Sequence, residues 1–210
     1  MLRDIRKQYA IANLNEDEAE KSALSQFKKW LDDALQSAEL EPTAMIISTV
    51  DASMQPHARV VLLKEFDSRG LVFYSNYNSH KGKQIETNPK VSALFLWQSL
   101  ERQVRITGSI EKISEDESIA YFKSRPLDSQ LGAYASPQSE VIANKAFLEK
   151  RFETIKLQFG SNIQKPEHWG GYLIRPQSIE FWQGRPNRLH DRLFYSRLAD
   201  DTWKIERLAP

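Results

Sequence analysis

The chain has 210 residues, 40% of them hydrophobic and 27% charged, a balance that suits a globular protein with a substantial core. Its 29 Lys and Arg nearly cancel its 28 Asp and Glu, so no global field marks it for nucleic acid or a membrane surface, and any anion site has to be local. It contains no cysteine, which excludes disulfides, thiolate nucleophiles, iron–sulfur clusters and cysteine-ligated zinc.

The opening stretch, MLRDIRKQYAIANLNEDEAEK, is polar, lacks an apolar leader and reads as a mobile segment over residues 1–15. No later run has the length of a membrane span, and the cytoplasm is the expected compartment. Residues 16–210 read as one domain. From Glu16 to about Ala38, Leu24, Phe27, Leu31 and Leu35 recur at three- and four-residue steps, which predicts an amphipathic helix closed before Pro42. The period then shortens. Thr43–Val50, His57–Lys64 and Leu71–Ser75 are β-branched or aromatic runs divided by the polar turns DASMQP and FDSRG. SHKGKQIETNP predicts a short helix or turn, followed by two more strands in KVSALFLW and ERQVRITGSIEKI. Tight connections between such strands predict an antiparallel sheet or barrel within an α+β domain.

Helical signals return at Ser114, where S-E-D-E forms a capping box ahead of SIAYFKSR. Pro126 breaks that helix and can open another, PLDSQLGAYA, and a longer helix is predicted from about Glu140 to Phe159. WGGYLIRPQSIEFW, RLFYS and TWKIERL close the chain as strands, the last two joined by the turn LADD.

Neither glycine-rich phosphate loop is present, nor a G-x-S-x-G elbow, and the four histidines lack zinc-ligand spacing, so no metal is expected. A phosphate would have to be held by Arg and Lys side chains or a helix N-terminus. Four stretches carry suitable donors. In HARVVLLK, Arg59 and Lys64 are either solvated strand ends or a pair of anion ligands; their odd separation puts them on opposite faces unless a bulge intervenes. In YSNYNSHKGK, Ser79, His80 and Lys81 stand at a predicted helix start, as an ordinary solvated turn or a phosphate grip. In YFKSRPLDSQ, Tyr121, Arg125 and Ser129 recur every four residues. Pro126 pushes Arg125 out of the helix, beside the free N–H groups of the next one, though Tyr121 alone also suits a core position. In RPNRLHDR, Arg188, His190 and Arg192 alternate along an extended segment, with Asp191 facing away or paired to a neighbouring arginine. Such a row needs an anion or a carboxylate opposite it.

Taken together, RKQY, PTAMIISTVD, RVVLLK, VFYSN, ERQVRITG, YFKSRPLDSQLGA, EFWQG, RLHDR and WKIERLAP resemble the pyridoxamine 5′-phosphate oxidase family over nearly the whole chain. The resemblance implies a homodimeric split β-barrel with flavin mononucleotide (FMN) at the subunit interface. It further implies oxidation of pyridoxamine or pyridoxine 5′-phosphate to pyridoxal 5′-phosphate, with dioxygen reduced to hydrogen peroxide. Carried onto this sequence, the strand Arg59, Val60, Val61, Leu62, Leu63 and Lys64 lies along the flavin, with Arg59 and Lys81 on its phosphate and Tyr74, Ser75 and His80 nearby. Gln103, Gln138, Ser139, Trp182 and Arg192 complete the cofactor site, some from the second subunit. The substrate phosphate goes to Lys64, Tyr121, Arg125 and Ser129, while Arg188 and His190 flank the pyridine ring and Arg6 and Tyr9 close over it. His80 departs from the arginine common at that position, which implies a modestly weaker hold on FMN at high pH. The alternatives are a split-barrel flavoprotein with another substrate and a non-catalytic FMN or pyridoxal phosphate carrier.

Overall fold

The computed structural model describes residues 1–4, 7–160 and 162–210. Its frame is set by one long strand, β7 (Trp169–Gln183). One edge of β7 pairs with β6 (Arg102–Lys112) along nearly its whole length. The other edge takes β4 (Gly70–Asn76) against residues 169–174 and β8 (Asp191–Arg197) against residues 178–183. Beyond β6 the sheet continues through β5 (Lys90–Trp97) and β1 (Ala44–Val50) to β2 (Pro56–Leu62); the short β3 (Glu65–Asp67) borders β4, and β9 (Trp203–Arg207) borders β8. Every pairing is antiparallel, as the short strands and tight turns predict.

Helix α1 (Ala23–Gln36) seals the sheet's core. Phe27 packs edge-on against Phe66 and lies near Phe95, while Trp30 meets Phe181 at 5.2 Å. The predicted helix starts seven residues too early. Residues 16–22 are claimed by tertiary bonds instead: Glu20 donates its N–H to Gln26 Oε1, and Glu16 pairs with Arg207. The buried stripe is Ala23, Gln26, Phe27, Trp30, Leu31 and Ala34, whereas Leu35 is exposed.

A second, smaller core lies under α3 (Glu115–Ser124), α4 (Leu127–Ala135) and α5 (Lys145–Phe159), around Phe122, Leu131, Ile163 and Trp169. The capping box forms as expected: Ser114 Oγ accepts from Glu117 N and the Glu117 carboxylate accepts from Ser114 N. Pro126 is the N-cap of α4 rather than its first residue, and α5 begins at Lys145 because Asn144 caps it through Phe147 N. Among the described residues, no helix is long and apolar enough to cross a membrane.

The short helix predicted after β4 is α2 (His80–Thr87), capped by Ser79, whose Oγ accepts from Gly82 N. Gly82 lets the helix lie directly on the preceding turn: a Cβ there would sit 1.9 Å from the Tyr77 carbonyl oxygen. Gly82→Ala is therefore expected to cost about 1–3 kcal/mol through overpacking and to displace Lys81. A urea-melting midpoint shift, compared with the uncrowded control Gly132→Ala, measures it; nothing stands within 4 Å of a Cβ at Gly132.

Candidate functional site

Where β2, β4, α2 and α4 converge, a cleft of about 830 Å³ opens. Among the described residues, four cations face it, Arg59, Lys64, Lys81 and Arg125, and no carboxylate lines it. None of the four has an acidic partner among the described residues. Arg59 is held from beneath by neutral acceptors: Nη1 donates to Thr49 Oγ1 at 2.6 Å and Nη2 to Gln84 Oε1 at 3.0 Å. Lys81 Nζ reaches Ser75 Oγ at 2.9 Å, and Ser79 Oγ and Gln138 Oε1 at 3.3 Å. Burial lowers the pKa of both cations, and the charge of Arg59 adds to the effect on Lys81. The protein thus holds two like charges together, partly dehydrated, without a counterion.

Lys64 joins the same cleft because the ladder ends at Leu62, so the odd separation from Arg59 loses its consequence. Leu63, expected beside the flavin, turns its side chain into the core at 5% exposure, and its N–H donates to Thr43 O.

The far wall is aromatic. Tyr74 stacks on Tyr121 at 3.7 Å and on Trp169 at 5.4 Å, with Tyr74 Oη donating to Glu65 Oε1 at 2.6 Å. Burial, then this carboxylate, holds the Tyr74 phenol well above its usual range, so it stays protonated. Arg125 lies over the Trp169 ring at 4.6 Å, extended at φ −74° and ψ 150° as Pro126 dictates. Its Nη1 is buried and has no hydrogen-bond partner, and burial lowers its pKa. A buried donor without an acceptor, next to the first turn of α4 and Ser129, is an open place for an anion. Ser139, also on the cleft, adopts φ 75°, a strained conformation for a residue with a side chain.

The remaining expected residues form a second cluster that does not line this cleft. Trp182 and His190 lie 4.6 Å apart with their rings tilted by 41°, and Tyr9 meets both rings edge-on at 5.7 and 5.8 Å. Gln103 lies opposite Trp182 in the β6–β7 register. Arg188 and His190 are not on an extended segment as the alternation predicts. Pro186–Arg188 form a 3₁₀ turn in which Asn187 and Arg188 take φ 57° and 63°. Arg188 is exposed, and His190 Nδ1 accepts the Arg185 N–H at 3.1 Å, which leaves the ring proton on Nε2. Burial, then Arg188, lowers the pKa of His190, with Asp191 opposing. Asp191 pairs with arginines as expected, accepting from Arg207 Nη1 at 2.8 Å and lying 3.4 Å from Arg185 Nε. Arg192 Nε donates to Glu180 at 2.8 Å and Nη1 to Ala209 O, so a carboxylate stands opposite this member of the row. Arg6 lies outside the described residues.

Comparison with known proteins fixes the family. Residues 31–159 match the family described as pyridoxamine 5′-phosphate oxidase, and residues 169–210 match a pyridoxine 5′-phosphate oxidase C-terminal dimerisation region. The chain belongs to the pyridoxamine 5′-phosphate oxidase family. It is 50% identical over 208 residues to a pyridoxine/pyridoxamine 5′-phosphate oxidase of Gloeothece citriformis, covering 99% of this chain and 97% of that one. It is 51% identical over 207 residues to the protein of that name in Ralstonia pickettii, with 99% and 98% coverage. Among solved structures, PhzG from Burkholderia lata 383, in complex with tetrahydrophenazine-1-carboxylic acid, superposes with a TM-score of 0.89 at 27% identity, covering 95% of this chain and 99% of that one. A pyridoxamine 5′-phosphate oxidase-related, FMN-binding protein of Nostoc punctiforme shares the fold at a TM-score of 0.73 and 17% identity, over 90% of this chain and 99% of that one. The split-barrel class expected from the sequence is therefore the fold observed.

The residues present fit the family's flavin mononucleotide. Its phosphate would meet the counterion-free Arg59 and Lys81, and the apolar Val60, Val61 and Leu62 offer a surface for a flat ring. Sequence reasoning missed Thr49 and Gln84 beneath Arg59, Glu65 behind Tyr74, and Trp169 under Arg125. Only the tryptophan carried a signal, as an aromatic residue at a strand start.

The second cluster is fastened to the C-terminus. Arg207 makes a two-pronged pair with Glu16, at 2.7 and 2.6 Å, and also donates to Leu14 O. The Arg207 hydrogen bonds hold the Glu16 carboxyl down to about 2. Because the folded value lies below the ordinary 4.5, the stabilisation is full above pH 4.5 and is lost as pH falls toward 2. Glu16→Gln is expected to lower neutral-pH stability by less than about 1 kcal/mol, since the pair is exposed, and to flatten that acid limb. Urea midpoints across the range report both effects.

Proposed function

We propose that this protein oxidises pyridoxamine 5′-phosphate and pyridoxine 5′-phosphate to pyridoxal 5′-phosphate, using bound FMN. The single observation that carries the reading is the cleft with four cations and no carboxylate, in a chain half identical to pyridoxine/pyridoxamine 5′-phosphate oxidases along its whole length. Both ligands bring a phosphate, and the cleft offers two separately supported donor sets. Arg59 and Lys81, with Ser75, Gln138 and Ser139 around them, suit the cofactor phosphate. Lys64, Arg125, Tyr121 and Ser129 suit the substrate phosphate, with Arg125 Nη1 gaining the acceptor it lacks.

The active site is shared between two protomers in this reading. Arg188, His190, Trp182, Gln103, Arg192 and Tyr9 stand apart from the cleft within one chain, and the stretch from Trp182 onward lies in the region matched to dimerisation. A twofold partner brings each cluster to the other's cleft. Tyr9 closes over the ligand, and His80 and Tyr74 border the cofactor. The cytoplasm, where vitamin B6 phosphates are salvaged, belongs to the same reading.

When bound, FMN would supply the two-electron acceptor for oxidation at substrate C4′, with dioxygen as the final acceptor giving hydrogen peroxide. The chain's own residues orient and polarise. Arg188 stays charged throughout and so stabilises negative charge at the substrate ring rather than removing a proton. His190, neutral with its proton on Nε2, presents a donor to the ring's 3-oxygen. Ser75, Lys81 and the aromatic wall exclude water from the phosphate ends. For the amine, water then converts the imine product to pyridoxal 5′-phosphate and ammonia.

The bound ligand of PhzG, tetrahydrophenazine-1-carboxylic acid, makes a reduced tricyclic acid the alternative substrate. Turnover measured side by side with pyridoxamine 5′-phosphate and with the tricyclic acid separates the two readings, and steady-state kinetics with the former test the residue roles. Ser129→Ala should raise KM for pyridoxamine 5′-phosphate several-fold with kcat nearly kept, and Arg188→Leu should lower kcat by orders of magnitude. Loss of kcat at unchanged KM in Ser129→Ala would contradict the assigned roles. His80→Arg should tighten FMN binding, because a guanidinium offers a phosphate a planar fork of donors that an imidazole lacks; a titration of apoprotein with FMN followed by flavin fluorescence measures it.

A further inference from the structure

The turn between β5 and β6 contains an anomaly. Glu101 adopts φ 54° and ψ 38°, a left-handed conformation that glycine takes without strain, and its side chain is 3% exposed. A buried carboxylate at a glycine-like position needs a reason in its partners. Glu101 Oε2 accepts the N–H groups of Ala10 at 2.8 Å and Ile11 at 3.2 Å, and Oε1 lies 3.3 Å from Lys7 Nζ. The carbonyl of the same residue accepts Gly184 N at 2.8 Å and Gln183 Nε2 at 3.3 Å. One residue therefore grips the N-terminal strap with its side chain and the end of β7 with its backbone.

Between these two grips sits Tyr9. Its ring lies against Gly184 so closely that a Cβ there would come within 2.7 Å, and it meets Trp182 and His190 edge-on. Lys7, held by Glu101, stands 5.5 Å over the same ring. We infer that Glu101 is a positioning residue for substrate binding: its carboxylate fixes the strap so that Tyr9 is set against His190 and Trp182 before substrate arrives. The inference rests on the shared-site reading above, in which Tyr9 and His190 meet the substrate. Hydrogen bonds from two backbone donors and an ammonium hold the carboxylate ionised against the opposing effect of burial.

The test uses the FMN-loaded dimer. Glu101→Gln keeps the size of the side chain but replaces an ionised acceptor with an amide. It should raise KM for pyridoxamine 5′-phosphate about tenfold, with kcat within about twofold of wild type, as weakened charge-assisted bonds predict. Hydrogen exchange should quicken in the peptide spanning Ala10 and Ile11 and stay unchanged in β5 and β6. Ala10→Pro removes one donor from the exposed side of the contact without touching the turn, and should give the same KM shift. In a Tyr9→Ala background, Glu101→Gln should add nothing further. An unchanged KM despite faster strap exchange would overturn the inference, as would a global rise in exchange with kcat and KM falling together. A wild-type dimer that fails to oxidise pyridoxamine 5′-phosphate would instead refute the proposed function, while the exchange result would still report whether Glu101 holds the strap.

Discussion

The arrangement depends on charge left unpaired. Arg59, Lys81, Lys64 and Arg125 are gathered around one cleft, and the fold supplies only hydroxyls, amides and aromatic faces to hold them in place. Placing cations in a partly dehydrated site raises the free energy of the empty protein: burial lowers the pKa of Arg59, Lys81 and Arg125, and the charge of Arg59 adds to the effect on Lys81. An anionic ligand removes it. Binding energy for phosphate is thus stored in the fold in advance, with neutral supports such as Thr49 and Gln84 fixing direction without neutralising charge.

The sheet keeps the two clusters apart within one chain. β7 carries β4, and with it Tyr74 and Ser75, on its first half, and β8, with the turn that bears Arg188 and His190, on its second. The two functional clusters are therefore spaced along one strand and rigidly tied to each other. In the twofold dimer proposed above, the same spacing that separates them within a chain brings each to the partner's cleft. The paired interactions of Arg207, Asp191, Glu16 and Arg185 then brace the turn and the strap as one unit.

Much of this was legible in the sequence. The strand positions followed from short β-branched runs, the capping box at Ser114 from its spacing, and the extended Arg125 from Pro126. Those features are local, so local chemistry reveals them. The start of α1 was misread because the polar residues 16–22 have helical composition, while long-range partners such as Arg207 decide their conformation. The Arg188–His190 row was misread for a related reason. Asn187 and Arg188 both take left-handed φ values that no glycine announces, so a turn stands where alternation implied a strand. Glu101 looked like an ordinary charge at a strand start, and only its partners 90 residues away in sequence give it meaning.

If a cleft from one protomer is completed by the turn of the other, two inactive proteins should restore activity when mixed. Lys81→Met disables the cleft and Arg188→Leu disables the turn, so each homodimer should be nearly inactive. After unfolding and refolding in equal amounts, half of the dimers are mixed, and each mixed dimer regains one intact site, so the account predicts roughly a quarter of wild-type oxidase activity. No recovery, with mixed dimers demonstrably formed, would contradict it and confine the whole site to a single chain.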